Sequence, residues 1–137
     1  MTPKTKKTVK GDSKFDYKTI KSFDDACAKL GLDTTDKPLV LLIPEEFKQS
    51  LTAVYKLMII YKAINNGWVP DWGKSSQYKY YPWFWVLPSG SGFSDSAYYC
   101  AYASTDVGSR LCTDTSEKAQ YMAEQFKAEY QDYLLLT

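Results

Sequence analysis

Residues 107–112, Val107-Gly108-Ser109-Arg110-Leu111-Cys112, set a flexible backbone, a hydroxyl and a guanidinium side by side. That combination suits a phosphate or a carboxylate, because a guanidinium grips either in a bidentate fork. With Lys79 as a further cation, the candidate anion contacts are Ser109, Arg110 and Lys79. No Walker-type lysine loop or dinucleotide fingerprint accompanies them, and an arginine paired with a loop aspartate would explain the same residues. Asp71, Asp95 and Asp106 fall in segments that read as loops around a sheet. Two such carboxylates could form an acid/base pair, but aspartate is also an ordinary turn residue. The chain has no histidine, which removes the usual general base and the usual zinc ligand together. Cys27, Cys100 and Cys112 are odd in number and widely spaced, so neither a zinc site nor a disulfide framework is expected. These residues point away from an enzyme: no catalytic residue, no metal and no cofactor are expected.

A different chemistry is concentrated in residues 68–102, which hold twelve of the 22 aromatic residues and all four tryptophans. Aromatic side chains carry the largest apolar contact area, and Tyr and Trp add a polar handle. Trp72, Tyr80, Tyr81, Trp83 and Trp85 are the candidate interface or base-stacking residues. Stacking on single-stranded nucleic acid would also need a basic track, and this stretch holds only two lysines and no arginine. In a regular strand Tyr78, Tyr80, Pro82, Phe84 and Val86 share one face, and Lys79, Tyr81, Trp83 and Trp85 the other. Both faces are aromatic. One must pack on helices; the other is exposed, covered by the Gly90/Gly92 loop, or buried against a partner.

The elements that position these residues follow from spacing. Ser22 caps a short helix with Phe23, Ala26, Cys27 and Leu30 on one face and Gly31 at its end. Leu39–Ile43 reads as a short buried strand or an extended entry to the next helix. Residues 44–65 form the expected central core helix, with a stripe of Phe47, Leu51, Val54, Met58 and Tyr61, stopped by Asn65-Asn66-Gly67. Residues 78–86 have strand composition, and Pro82 requires an edge position or a bulge. Residues 96–103 read as an antiparallel partner, and 107–113 as a third strand. The last helix, 115–133, has Asp114 and Glu117 in a capping-box arrangement, with Ala119, Met122, Ala123, Phe126, Tyr130 and Tyr133 on one face. The expected fold class is α+β: two N-terminal helices, a two- or three-stranded antiparallel sheet, and a C-terminal amphipathic helix, the helices in a single layer on the sheet.

A chain of 137 residues fits one domain. Residues 1–17 read as a basic flexible arm and 18–137 as the single α+β domain. Residues 1–18 carry a charge of +4 and the remainder −3. The arm suits solubility, nucleic acid or an acidic partner. No apolar run is long enough to span a bilayer and no secretory leader is visible, so a soluble protein without a membrane partner is expected.

Three strings, Asn66-Gly67-Trp68-x-Pro70-Asp71-Trp72, Lys79-Tyr80-Tyr81-Pro82-Trp83-Phe84 and Val107–Cys112, resemble a group of short proteins of Bacteroides-type bacteria, their prophages and their phages. Residues 22–31 and the Ala119, Tyr121, Phe126 and Tyr130 pattern fit the same group, over about residues 20–135. Thr113 stands where that pattern has an aromatic. The resemblance carries no activity. It implies a phage or prophage setting, in the bacterial cytoplasm or the virion, as a virion part, a host-defence antagonist or a replication accessory. The expected function is a non-catalytic binding or structural module whose aromatic sheet and loops form a protein interface, through a partner or self-association. The alternative is a single-stranded nucleic-acid-binding accessory protein.

Overall fold

The computed structural model describes residues 14–35 and 40–136, so most of the basic arm and Leu39 lie outside the described residues. In chain order the elements are α1 (Phe23–Leu30), α2 (Glu45–Asn65), β1 (Lys79–Val86), β2 (Phe93–Ala101), α3 (Ser116–Gln125) and α4 (Lys127–Leu134). The fold is α+β. Ahead of α1 a single 3-10 turn, Tyr17–Thr19, is held down by the last part of the chain. The Tyr121 hydroxyl donates to the carbonyls of Lys18 (3.2 Å) and Ile20 (2.6 Å), and its ring meets Tyr17 edge-on.

Local chemistry sets the helix ends. The Ser22 hydroxyl accepts from Asp25 N–H at 3.1 Å, and Gly31 closes α1 at φ 68°. Asn66 closes α2 in the same left-handed region, at φ 47°. Thr115, not Asp114, caps α3 by accepting from Lys118 N–H. Asp114 instead forms an ion pair with Lys118 at 2.9 Å.

Three expectations change. Val40–Ile43 is a turn, neither a buried strand nor an extended entry to α2; Leu41 and Leu42 are exposed. Residues 107–113 are not a third strand. Only Thr113 bridges β1, exchanging both backbone hydrogen bonds with Tyr80 (2.8 and 2.9 Å), so the sheet has two strands among the described residues. The last helix is broken at Phe126, whose backbone leaves helical geometry at φ −112°, ψ 31°. The break separates two tasks: α3 packs on both strands, whereas α4 packs on α2. The helices therefore do not form one layer on the sheet. α2 sits between α1 and α4, and α3 covers the sheet.

The core is where these groups meet. Leu57, Ile60, Tyr61 and Ile64 of α2 pack with Ala26, Cys27, Met122, Phe126 and Tyr130. The buried hydroxyls of Tyr61 and Tyr130 hydrogen-bond to each other, so neither is left unpaired in an apolar interior. Apart from Ala53, the buried residues of α2 lie in its second half. Phe47, Leu51 and Met58 of the expected stripe are exposed.

Burial sets the expected stabilities. Leu57→Ala should destabilise the fold by about 2–5 kcal/mol, as core leucine truncations do. Leu42→Ala, at a fully exposed site, should change it by less than about 0.5 kcal/mol. Urea unfolding followed by circular dichroism measures both, and equal effects would contradict the assignment of residues 40–43 to a surface turn.

Candidate functional site

The β1–β2 hairpin carries most of the candidate residues. Its register pairs Tyr81 with Tyr99, Trp83 with Ala97 and Trp85 with Asp95, with a bulge after Trp85 that brings Val86 opposite Phe93. One face, with Tyr80, Pro82, Phe84 and Ser96, turns toward the helices. Phe84 stacks on Phe93 at 4.0 Å and lies 4.9 Å from Tyr130, and Gln120 of α3 reaches Ser96. The opposite face carries Lys79, Tyr81, Trp83 and Trp85, as strand alternation requires.

That second face changes character along its length. At the Lys79 end the flanking loops close over it. The Lys79 side chain is fully enclosed; its ammonium donates to the carbonyls of Lys74 (3.0 Å) and Tyr102 (2.7 Å) and lies 5.1 Å from the Trp72 ring centre. The Trp72 indole N–H donates in turn to the Ser109 hydroxyl at 2.7 Å. Tyr81 is buried next to this cluster and its hydroxyl donates to Asp106 at 3.2 Å. Burial, followed by that carboxylate, pushes the Tyr81 phenol up to about 12. The cover is the 102–113 segment and not the Gly90/Gly92 loop.

At the other end the face is open. Trp83 is 38% exposed and Trp85 46%, their rings 4.0 Å apart. The edge of β1 is open there too. Because Tyr80 gives both its backbone groups to Thr113, the strand's alternation turns the backbone of Pro82, Phe84 and Val86 outward as well. Pro82 thus occupies an edge position where its missing N–H breaks no ladder bond, as its residue type requires. Beyond Thr113 no strand covers this edge among the described residues. An open groove of about 590 Å³ runs beside it, lined by Tyr81 through Phe84, Val86 and Phe93, with Val107, Leu134 and Leu135 as the far wall. Consecutive strand residues line it, so it wraps the edge rather than one face.

The expected residues therefore divide. Trp83 and Trp85 form the open ledge. Tyr81 is enclosed. Tyr80 is half-buried between the rings of Tyr78 and Tyr98, and Trp72 is half-buried under the loop cluster. Of the candidate anion contacts, Ser109 and Arg110 are exposed, but Lys79 is withdrawn from solvent and the Ser109 hydroxyl holds the Trp72 indole. Lys79 is thus a structural cation, because its charge already meets two carbonyl dipoles and an aromatic face. The aspartates serve locally: Asp71 accepts from Gly73 N–H, Asp95, which lies within β2 rather than in a loop, from Ser96 N–H, and Asp106 from Tyr81. Cys112 is buried and its thiol is pushed up to about 11 by burial, against the opposing pull of Lys79, which makes it a poor nucleophile. Among the described residues no three Cys, Asp or Glu side chains group as a metal site, and no helix is long and apolar enough to cross a membrane. Sequence reasoning missed the groove's far wall. Leu134 and Leu135 follow the last helical stripe, and Val107 lay in the supposed third strand.

No family model, curated protein or solved structure matches the chain.

Two outcomes test this geometry. Lys79→Met keeps the aliphatic stem but leaves the Lys74 and Tyr102 carbonyls without their donor, so it should destabilise by about 1–3 kcal/mol in urea unfolding. Lys79→Met at wild-type stability would show that the ammonium does not hold the loops. The Tyr81 phenol holds its proton more tightly folded than unfolded, so stability should be intact below pH 10 and fall as pH rises toward about 12. Tyr81→Phe should flatten that part of the decline in a pH series of thermal melts.

Proposed function

We propose that this chain is a non-catalytic protein-binding module that takes an extended segment of a partner protein along the free edge of β1. The observation that carries this reading is the coincidence of three things at one place. Backbone groups of Phe84 and Val86 point out of the sheet with no strand among the described residues to receive them, a groove runs beside them, and the Trp83–Trp85 ledge adjoins it. Strand addition draws affinity from main-chain hydrogen bonds and specificity from pockets for alternate side chains. Native proteins ordinarily protect such an edge with charge. Here residues 80–94 contain no charged side chain, and Pro82 guards only its own position.

The same surface favours protein over single-stranded nucleic acid. The groove lining includes no lysine or arginine, its only carboxylate is Asp106, and Lys79 is enclosed. A phosphate track needs cations that solvent can reach. The resemblance of the 66–72, 79–84 and 107–112 strings supports a phage or prophage setting, in the host cytoplasm or the virion, with the module acting as a virion part or a host-defence antagonist.

A displayed library of linear peptides panned against the purified protein tests the reading. Enriched peptides should be apolar at alternate positions. Val86→Pro removes one outward N–H and should abolish their binding, whereas Val86→Ala, which keeps the N–H, should weaken it only a few-fold; Trp83→Ala with Trp85→Ala should cost at least about tenfold. Enrichment that survives Val86→Pro unchanged would refute strand addition. Quenching of tryptophan fluorescence by an oligothymidylate at low salt would instead favour the nucleic-acid reading.

A further inference from the structure

We infer that α2 pairs with α2 of a second copy of this chain, antiparallel, through the stripe Phe47, Leu51, Val54 and Met58. None of these residues lines the groove beside β1, so the inference stands apart from the strand-addition reading. Spacings of four, three and four make the stripe a heptad seam, the pattern by which one helix packs against another. Among the described residues most of it is left uncovered. Phe47 is 50% exposed, Leu51 39% and Met58 36%, and Val54 is half-buried where it leans on the core. The protein's own neighbours lie on other sides of the helix. α4 is tied to Gln49 and Ser50 by hydrogen bonds from those side chains to Asp132 and the Tyr133 carbonyl. α1 meets the helix at Tyr55 and Lys56 through Phe23.

The occupant follows from the stripe's own symmetry. In antiparallel seams the two heptad positions face each other in layers. Sliding α2 against an antiparallel copy finds one register in which Phe47 faces Met58, Leu51 faces Val54, and the same two layers repeat beyond the two-fold axis. All four apolar residues of each copy are then covered, and a two-fold contact requires that kind of self-complementarity. The flanking positions favour the same direction. The row flanking the seam on its open side carries Lys48, Tyr55 and Lys62. In a parallel pair that row would face the partner's Ser50 and Leu57, a side already occupied by α4 and the core. The antiparallel pair sets Lys48 near Tyr55 and brings Lys62 to the end of the partner helix that holds Glu45 and Glu46. The helix dipoles also oppose.

Sedimentation of the full chain over a concentration series tests this without any variant: a reversible dimer is expected, and a monomer throughout would overturn the inference. Leu51→Glu should convert the dimer to a folded monomer, with the circular dichroism spectrum and melting temperature of the isolated chain preserved. A dimer unaffected by Leu51→Glu would place the contact elsewhere and likewise overturn it. The register has its own test. Phe47→Lys and Met58→Glu should each weaken dimerisation by at least about tenfold, some 1.4 kcal/mol. Mixing the two variants should restore a heterodimer, because one layer then sets the introduced lysine opposite the introduced glutamate and the other keeps Phe47 opposite Met58. A mixture no tighter than either variant alone would rule out the antiparallel pairing. Trp83→Ala should leave the dimer intact, which separates this surface from the β1 edge.

Discussion

The enclosed ammonium of Lys79 is the constraint on which the arrangement of the hairpin depends. A charge taken out of water is costly unless polar groups replace its hydration. Among the described residues no carboxylate hydrogen-bonds to it; its partners are the Lys74 carbonyl before β1, the Tyr102 carbonyl after β2, and the Trp72 ring. Two loops far apart in sequence are thereby fixed to one point on the sheet. Trp72 passes the restraint to Ser109, and Asn65 of α2 reaches the same segment by donating to the Cys112 carbonyl at 2.9 Å. The 102–113 segment thus becomes a lid over the Lys79 end of the sheet without being a strand of it.

That lid explains why the two ends of one aromatic face differ. Tyr81 falls under it and gains a hydrogen bond to Asp106; Trp83 and Trp85 lie two and four residues farther on and do not. The same geometry terminates the strand pairing. Thr113 reaches β1 at Tyr80, then turns into α3, because the Thr115 cap must accept from Lys118. The edge of β1 is left open at the very residues where its outer backbone carries N–H groups again after Pro82. The open edge, the ledge and the groove are consequences of one closure made at the other end of the hairpin.

Much of the fold was legible where local chemistry decides the outcome. Ser22 and Gly31 mark α1, Asn66 stops α2, Pro82 demands an edge, and the Ala119–Met122–Ala123–Phe126–Tyr130 face is buried as its spacing implies. What was not legible depends on contacts between distant residues. Nothing near Phe126 announces a break, since neither glycine nor proline is there; the helix bends because one half must follow the sheet and the other α2. Residues 107–113 have strand composition, yet only Thr113 finds a partner. A lysine in a strand reads as a solvent-facing cation, and only the two carbonyls and the indole that converge on Lys79 make it an interior one. The candidate site was half visible for the same reason: composition pointed to Trp83 and Trp85, which stand exposed, while the groove's far wall required knowing where α4 ends.

The apolar pattern of α2 exceeds what the fold consumes, and that excess bears on how the chain holds together. A two-stranded sheet has little independent stability and must borrow it from helices. α3 supplies that support on one face, and α2 is the hub against which α1 and α4 pack. The hub is buried most fully over its second half, where Leu57, Ile60, Tyr61 and Ile64 lie in the core; nearer its start Ala53 is buried and Gln49 and Ser50 bond to α4. Its first turns project past the core with Phe47 and Leu51 uncovered. Helical stability in proteins comes mainly from packing an amphipathic face rather than from propensity. The first half of this 21-residue helix is held on the side that meets α4, while the side carrying Phe47 and Leu51 is open. Covering the seam would therefore do more than join two chains. It would hold the open side of the helix that organises the core, while the hairpin edge on β1, whose groove shares none of the seam residues, stayed available to a different partner.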